Sequence, residues 1–270
     1  MTGGYVRPML DGYEQTAFTH DGTGHDVFRT GTGPAVIVIH EVPGVTPAVA
    51  DFGRRVAAIG CTAYLPSLFG VPGRPIAIPY VIQSLAHGCV SKEFATWATG
   101  RTSPATTWLR ALARSAHAEC GGPGVGAVGM CLTGGFALAM SVDPAVVAPV
   151  LSQPSLPFAL SKRHKADVGV SADDLAAVVR RTRDDGLRTV GLRFTADKLV
   201  PAERFETLRR ALGDGFVAVE IDSSPGNPHD IEKAAHSVLT EELRDEPGHP
   251  TRDALELVLD HFRSRLLIDG

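Results

Sequence analysis

The sequence predicts an α/β protein with a mainly parallel central sheet flanked by helices on both faces. Short runs that are apolar throughout, such as residues 35–39 and 146–151, have the composition of strands covered on both sides. Segments with helical apolar spacing alternate with these runs through short connections, which is the pattern of repeated β-α-β units. Glycine and proline mark most of the boundaries. At 270 residues the chain is long enough to bury a sizeable core. There are no internal repeats and no Ser-rich linker, so residues 25–270 read as one domain behind an N-terminal arm, residues 1–24.

The arm is polar and Gly-rich and is expected to be loosely attached. Residues 25–29 alternate as an edge strand does, and Gly31-Thr32-Gly33-Pro34 is a turn. The apolar strand 35–39 follows, and His40-Glu41-Val42-Pro43-Gly44 ends it. Val49, Phe52, Val56 and Ile59 lie on one helical face that Gly60 stops. Residues 61–65 are the next strand, closed by Pro66. Residues 70–102 are irregular and rich in Pro and Gly, and are expected to form an excursion over the top of the sheet. Ser103-Pro104 supplies an N-cap and a first-turn proline for a helix through Trp108, Leu109, Leu112 and Ala116.

A strand over 124–128 and a small-residue helix from Phe136 come next, followed by a strand over 146–151. Lys162-Arg163-His164-Lys165 is a short basic cluster, read as a solvated loop. Ser171 with Asp174 caps a helix to about Asp184. A strand over 189–194, a turn at Thr195-Ala196-Asp197, a helix over 202–212 and a strand over 216–221 continue the alternation. Leu255, Val258, Leu259 and Phe262 share one face of a final helix, 251–267.

Composition excludes several classes of function. A net charge of −4 offers no general attraction to nucleic acid or to an anionic membrane. Pro, Gly or charge interrupts every apolar stretch before it reaches spanning length. The four cysteines, Cys61, Cys89, Cys120 and Cys131, have no metal-ligand spacing. No secretory or transit signal is visible at Met1, so a cytoplasmic location and reduced thiols are expected. No metal, phosphate loop or organic cofactor is implied, and the expected partner is a small molecule.

The chemistry is concentrated in Gly129-Met130-Cys131-Leu132-Thr133-Gly134-Gly135. An apolar strand leads into it and a helix follows, which is the context of a nucleophile elbow with a thiol in place of the commoner serine. Small neighbours let strand and helix approach, and the helix N-terminus favours a thiolate and an oxyanion. A buried structural cysteine is the alternative reading of this turn alone. In a triad of the order nucleophile, acid, base, the acid belongs in a turn after a later strand, where Asp197 lies; a simple turn-forming aspartate is its alternative. The base belongs between the last strand and the last helix. His236, in Ala234-Ala235-His236-Ser237, is favoured over His229, which reads as a solvated loop histidine. His40 precedes the nucleophile and reads as structural or pocket-lining. Cys61 reads as core, and Cys89 and Cys120 as incidental.

Together these segments resemble the dienelactone hydrolase family, within the α/β-hydrolase fold, over about residues 25–267. The resemblance rests on Val38-Ile39-His40-Glu41-Val42-Pro43-Gly44, the cysteine elbow, Asp197-Lys198-Leu199-Val200-Pro201 and Ala235-His236-Ser237. It implies a Cys131, Asp197, His236 triad, with Glu41 as the glutamate that contacts the resting nucleophile. It also implies an oxyanion hole built from the backbone N–H groups of Val42 and Leu132. Read without the resemblance, Glu41 is a helix cap or a surface pair, or an acid at the carboxyl edge of a central strand, where ligands bind in open α/β sheets. Thr133 departs from the family pattern, since it stands where a glycine is usual, and its side chain is expected to narrow the approach. The substrate-carboxylate arginines have no firm match; Arg101 is the candidate, with a surface ion pair as its alternative.

The expected reaction is hydrolysis of a small ester or lactone through a Cys131 thioester, with unactivated amides disfavoured as substrates. Two other classes remain open at this level, a non-catalytic small-molecule-binding relative and a thiol redox protein. The physiological substrate and the oligomeric state are not encoded in any motif.

Overall fold

In a computed structural model, the described residues are 10–77, 79–81, 84, 103–156 and 161–268. One eight-stranded sheet organises them. Its strands are β1 (Glu14–His20), β2 (Thr23–Gly31), β3 (Ala35–Ile39), β4 (Thr62–Pro66), β5 (Val125–Met130), β6 (Val146–Ser152), β7 (Thr189–Phe194) and β8 (Phe216–Ile221). Their spatial order is β1-β2-β4-β3-β5-β6-β7-β8. β2 runs antiparallel to both β1 and β4, and every other pair is parallel. The helices are α1 (Pro47–Ala58), α2 (Pro104–Cys120), α3 (Gly134–Met140), α4 (Lys162–Ala166), α5 (Ala172–Asp184), α6 (Ala202–Leu212) and α7 (Pro250–Leu266). No helix among the described residues is long and apolar enough to cross a membrane.

Burial on both faces explains why the central strands are apolar without alternation. Along β3, Val36 and Val38 face Val49, Phe52 and Val56 of α1 and Leu255, Val258 and Phe262 of α7. Ile37 and Ile39 face Trp108, Leu109 and Leu112 of α2 and Phe136 of α3 on the other side. A third cluster, Leu138, Leu151, Val178, Phe205 and Leu208, packs α5 and α6 under the far half of the sheet. Side-chain caps start two helices as their sequences predict, with Ser103 accepting from Thr106 N–H and Ser171 from Asp174 N–H, and Thr46 likewise accepts from Val49 N–H at the start of α1.

The N-terminal segment differs from expectation. Residues 14–20 are strand β1 rather than part of a loose arm, so β1 and not β2 is the edge. The hairpin is closed by Asp21 and Gly22, with φ of 48° and 77°, an Asp-Gly pair in the left-handed region that a two-residue turn requires. Tyr13 is buried and its hydroxyl donates to Ala50 O at 2.6 Å, which anchors the strand on α1. Residues 162–166 also differ, forming the short helix α4 with none of its residues buried and Ser161 as its cap. Cys61 is buried as expected, and burial pushes its thiol up to about 11. Cys120 ends α2, against the Tyr64 hydroxyl at 3.3 Å. Most of the 70–102 excursion, with Cys89 and Arg101, lies outside the described residues.

The strand order places the chemistry. β3 is followed in space by β4 on one side and by β5 on the other, so the chain reverses its direction of winding between β3 and β5. Ligands in open α/β sheets bind outside the carboxyl ends of the strands at such a switch point. Ile39 pairs with Gly129, so the segments that begin at residues 40 and 131 leave the sheet side by side.

Candidate active site

β5 ends at Met130, and Cys131 turns the chain with φ of +56°, a left-handed conformation that costs a non-glycine residue about 1–2 kcal/mol. A single 3-10 turn, Cys131–Thr133, then leads into α3. The surroundings hold this strain in place. Thr133 Oγ1 accepts from Met130 N–H at 2.9 Å. Its one proton is shared among Met130 O at 2.8 Å, Ile39 O at 3.0 Å and His40 O at 3.2 Å. Thr133 therefore lies beneath the elbow, fully buried, and ties it to the end of β3. It does not narrow the approach, and its hydroxyl satisfies strand-end groups that a glycine would leave to other partners. Gly129 is demanded by space, because a Cβ there would stand 2.2 Å from Thr133 O.

Asp197 follows β7 and is buried. Its Oδ2 meets His236 Nδ1 at 2.6 Å, and its Oδ1 accepts Leu199 N–H at 2.8 Å. An ionised carboxylate only accepts, so Nδ1 carries the proton and Nε2 is the free end of the ring. Nε2 is buried and has no aligned hydrogen-bond partner among the described residues. Burial lowers the affinity of this ring for a second proton. The hydrogen bond and charge of Asp197 and the nearby Cys131 sulfur outweigh it, raising His236 to about 11. The structure thus brings His236, not His229, to the acid. His229 lies against the His249 ring at 5.5 Å, beside Pro250 and Asp253. The long loop between β8 and α7 that carries His236 is ordered by Asn227. Its Nδ2 donates to Ser224 O and Ile231 O, and its Oδ1 accepts from His229 and Ile231 N–H.

Two buried arginines that the sequence reading missed hold the acid loop. Arg193, inside β7, donates to Val200 O at 3.0 Å and Thr195 O at 2.9 Å and pairs with Glu220 at 2.6 Å. Arg204, on α6 and 1% exposed, reaches four carbonyls: Asp167 at 2.5 Å, Pro154 at 2.6 Å, Leu199 at 3.2 Å and His164 at 3.3 Å. Burial lowers its pKa to about 10, and Asp167 and Asp197 oppose the shift. Helical periodicity places Arg204 on the inward face of α6, but no local pattern says what it bonds. Arg204→Met keeps the bulk and strands the carbonyls, so a loss on the order of 3–5 kcal/mol is expected. Urea unfolding of the variant checks this, and an unchanged midpoint would show that the carbonyls find other donors.

Glu41 lies 2% exposed just beyond β3. Its Oε2 accepts from Ser237 Oγ at 2.6 Å and Gln153 Nε2 at 3.1 Å, and its Oε1 accepts from the Thr240 hydroxyl. Burial raises its pKa, and the Ser237 and Thr240 hydroxyls and the His236 charge oppose that rise. It is neither a helix cap nor a surface pair. The implied contact with the nucleophile is not made here either, because among the described residues the Cys131 sulfur bonds Ser155 Oγ at 3.1 Å. Gln153, with φ of +37°, also accepts Val238 N–H and the Ser152 hydroxyl, so it joins the exits of β3 and β6 to the His236 loop. His40 is structural. Leu68 N–H donates to its Nε2 at 3.1 Å, which puts the proton on Nδ1, donating to Glu41 O at 2.8 Å; burial lowers its pKa to about 4.

Leu132 is the second residue of the 3-10 turn, where a backbone N–H has no acceptor within the helix. Val42 is half-buried, three residues beyond the end of β3, whose last residue pairs with Gly129. Among the described residues, no backbone carbonyl engages the Val42 N–H. No group of three or more His, Cys, Asp or Glu side chains is placed to hold a metal ion, again among the described residues.

A model of the dienelactone hydrolase family matches residues 26–264. No curated protein matches the chain by sequence. Among solved structures, a Klebsiella pneumoniae protein assigned to the dienelactone hydrolases superposes with a TM-score of 0.62 at 19% identity, over 93% of this chain and 97% of that one. A dienelactone hydrolase-like promiscuous phosphotriesterase, P91, from metagenomic libraries gives 0.60 at 15% identity, covering 94% and 98%. A cold-adapted esterase from an Arctic intertidal metagenomic library gives 0.59 at 13% identity, covering 98% and 100%. At these identities the likeness is one of fold.

Proposed function

The chain belongs to the dienelactone hydrolase family of α/β-hydrolases, and from that premise we propose that it hydrolyses a small ester or lactone through a thioester on Cys131. One observation carries the reading. A buried carboxylate, Asp197, holds His236 Nδ1 at 2.6 Å, with the free end of that ring beside a thiol on a left-handed turn. An unperturbed thiol has a pKa of ~8.5, so attack at neutral pH needs a partner that favours the thiolate, and a protonated imidazole is one.

The thiolate adds to the substrate carbonyl, and the C=O electron pair moves onto oxygen. The N–H groups of Leu132 and Val42 receive that oxyanion, each such donor being worth about 2.7–4 kcal/mol. Collapse breaks the C–O bond, and the leaving alkoxide takes the proton from His236 Nε2. The neutral ring then accepts a proton from water as it attacks the thioester, which releases the acid and restores the thiolate. Asp197 holds the ring in one tautomer throughout and compensates its positive charge. Activated esters and lactones suit this sequence, because an alkoxide leaves more readily than an amine anion.

The test uses p-nitrophenyl acetate with the purified protein. A burst of nitrophenolate is expected, with an acetyl group on the Cys131 peptide by mass spectrometry, and neither should occur in Cys131→Ala. Iodoacetamide at neutral pH should label Cys131 ahead of Cys61 and Cys120. Turnover that survives Cys131→Ala, or no turnover across a panel of lactones and short esters, would overturn the proposal.

A further inference from the structure

We propose that Ser155 is a further catalytic residue, holding the Cys131 thiolate by donating its hydroxyl proton in a hydrogen bond to the sulfur. The proposal rests on Cys131 being the nucleophile and adds a side chain that the elbow pattern does not include. Ser155 Oγ is 3.1 Å from Cys131 Sγ. Ser155 is 4% exposed, and among the described residues the sulfur is the one hydrogen-bond partner of its hydroxyl. A buried hydroxyl with no acceptor is costly, and an anionic sulfur is the acceptor that uses this proton best.

The position is enforced from three sides. Ser155 N–H donates to Cys131 O at 2.9 Å, which ties the exit of β6 to the elbow. The preceding carbonyl, Pro154 O, takes the Arg204 guanidinium at 2.6 Å. Pro154 also packs onto the first turn of α3 where Gly134 leaves room, since a Cβ on Gly134 would stand 2.7 Å from Pro154 Cα and Cβ. The segment therefore cannot withdraw, and the hydroxyl stays on the sulfur. His236 Nε2, by contrast, has no aligned hydrogen-bond partner among the described residues. The two groups act differently on the sulfur. The His236 cation favours the thiolate by its charge and later serves the leaving group and the water, and Ser155 adds a directed hydrogen bond that holds the sulfur before attack.

Ser155 keeps its O–H bond throughout. The hydrogen bond to sulfur is given up when the sulfur electron pair enters the C–S bond, and it re-forms when the thioester is hydrolysed. The expected signature is thus in the thiol itself, before any substrate is present.

The experiment titrates thiolate absorbance against pH and measures iodoacetamide labelling of Cys131 at pH 6. It compares the wild type, Ser155→Ala and Ser155→Thr, with Cys131→Ala as the blank. In Ser155→Ala the thiol pKa should rise by about one unit and labelling at pH 6 should slow about tenfold, the scale of a hydrogen bond to a charged group. Ser155→Thr, which keeps the hydroxyl, should recover most of both. An alanine variant that titrates and labels like the wild type would overturn the proposal, even if it were less stable or less active. Should the alanine variant not fold, the near-isosteric pair Ser155→Thr and Ser155→Val makes the same comparison. The ester reading fails separately: a wild type with no turnover but a shifted Ser155→Ala titration would remove the proposed reaction and leave this hydrogen bond standing.

Discussion

His236→Ala should lower ester turnover by at least about 10²–10⁴-fold, the scale of a positioned acid–base group, whereas His229→Ala should leave it largely intact. The expectation follows from what each ring touches. His236 is held at 2.6 Å by a carboxylate that is itself fixed by Leu199 N–H, and its free nitrogen lies beside the Cys131 sulfur. His229 has no such anchor; its ring stacks edge-on against His249, and its carbonyl accepts from Arg244. The loss in His236→Ala should appear in kcat/KM for p-nitrophenyl acetate with an unchanged far-ultraviolet circular dichroism spectrum. Iodoacetamide labelling of Cys131 at neutral pH should slow in parallel, because the cation that favours the thiolate is gone. An inactive His229→Ala beside an active His236→Ala would overturn the assignment.

The second large effect is on stability against pH. Asp197 and the Cys131 sulfur hold the proton on folded His236 to about 11 despite the opposing effect of burial, while an unfolded histidine releases it near ~6.5. Between those values the folded ring binds more protons than the unfolded one, so its contribution is complete below ~6.5 and is lost by the time pH passes about 11. Up to the ordinary thiol value of ~8.5, the proton that an unfolded Cys131 keeps and the folded thiolate has given up offsets this, so the net fall comes above ~8.5. The urea midpoint of the wild type should therefore decline from about pH 8.5 towards pH 10, and that of His236→Ala should be flatter across the same range. A wild-type midpoint that holds steady through this window would mean that the ring is not kept as a cation. Glu41 acts in the same direction at lower pH. Burial raises its pKa, so the folded carboxyl keeps its proton above the ordinary carboxylate range and stability declines from there up to its folded value.

Much of the secondary structure was legible because it is written locally. Strands 189–194 and 216–221 and helix 202–212 form over the residues their patterns predict. The elbow was legible for the same reason, since Gly129, Cys131 and Gly134 answer to contacts within one turn or with the segment packed on it. Where the local reading failed, a neighbouring element supplied what the segment lacks. Residues 14–20 look like a polar arm because an edge strand buries little, and the Asp21-Gly22 turn was the unread signal. Residues 162–166 look like a solvated loop because no α4 residue is buried, yet His164 O is fixed by Arg204 forty residues on.

The sequence by itself determined the α/β class, the turn that exposes Cys131, and the acid and base candidates in their order along the chain. Apolar periodicity, glycine spacing and chain order are properties of consecutive residues, and they survive without a partner in view. The tertiary structure decided which histidine meets Asp197, because that depends on how a loop of nearly thirty residues folds back over the sheet. It also decided that Glu41 is gripped by Gln153, Ser237 and Thr240 rather than by the thiol, that Thr133 lies beneath the elbow, and that Ser155 reaches the sulfur. These contacts join residues up to 199 positions apart, from segments that leave β3, β5, β6 and β8 at one edge of the sheet. Strand order brings them together, and strand order is set by packing both faces of the whole sheet at once rather than by any one segment.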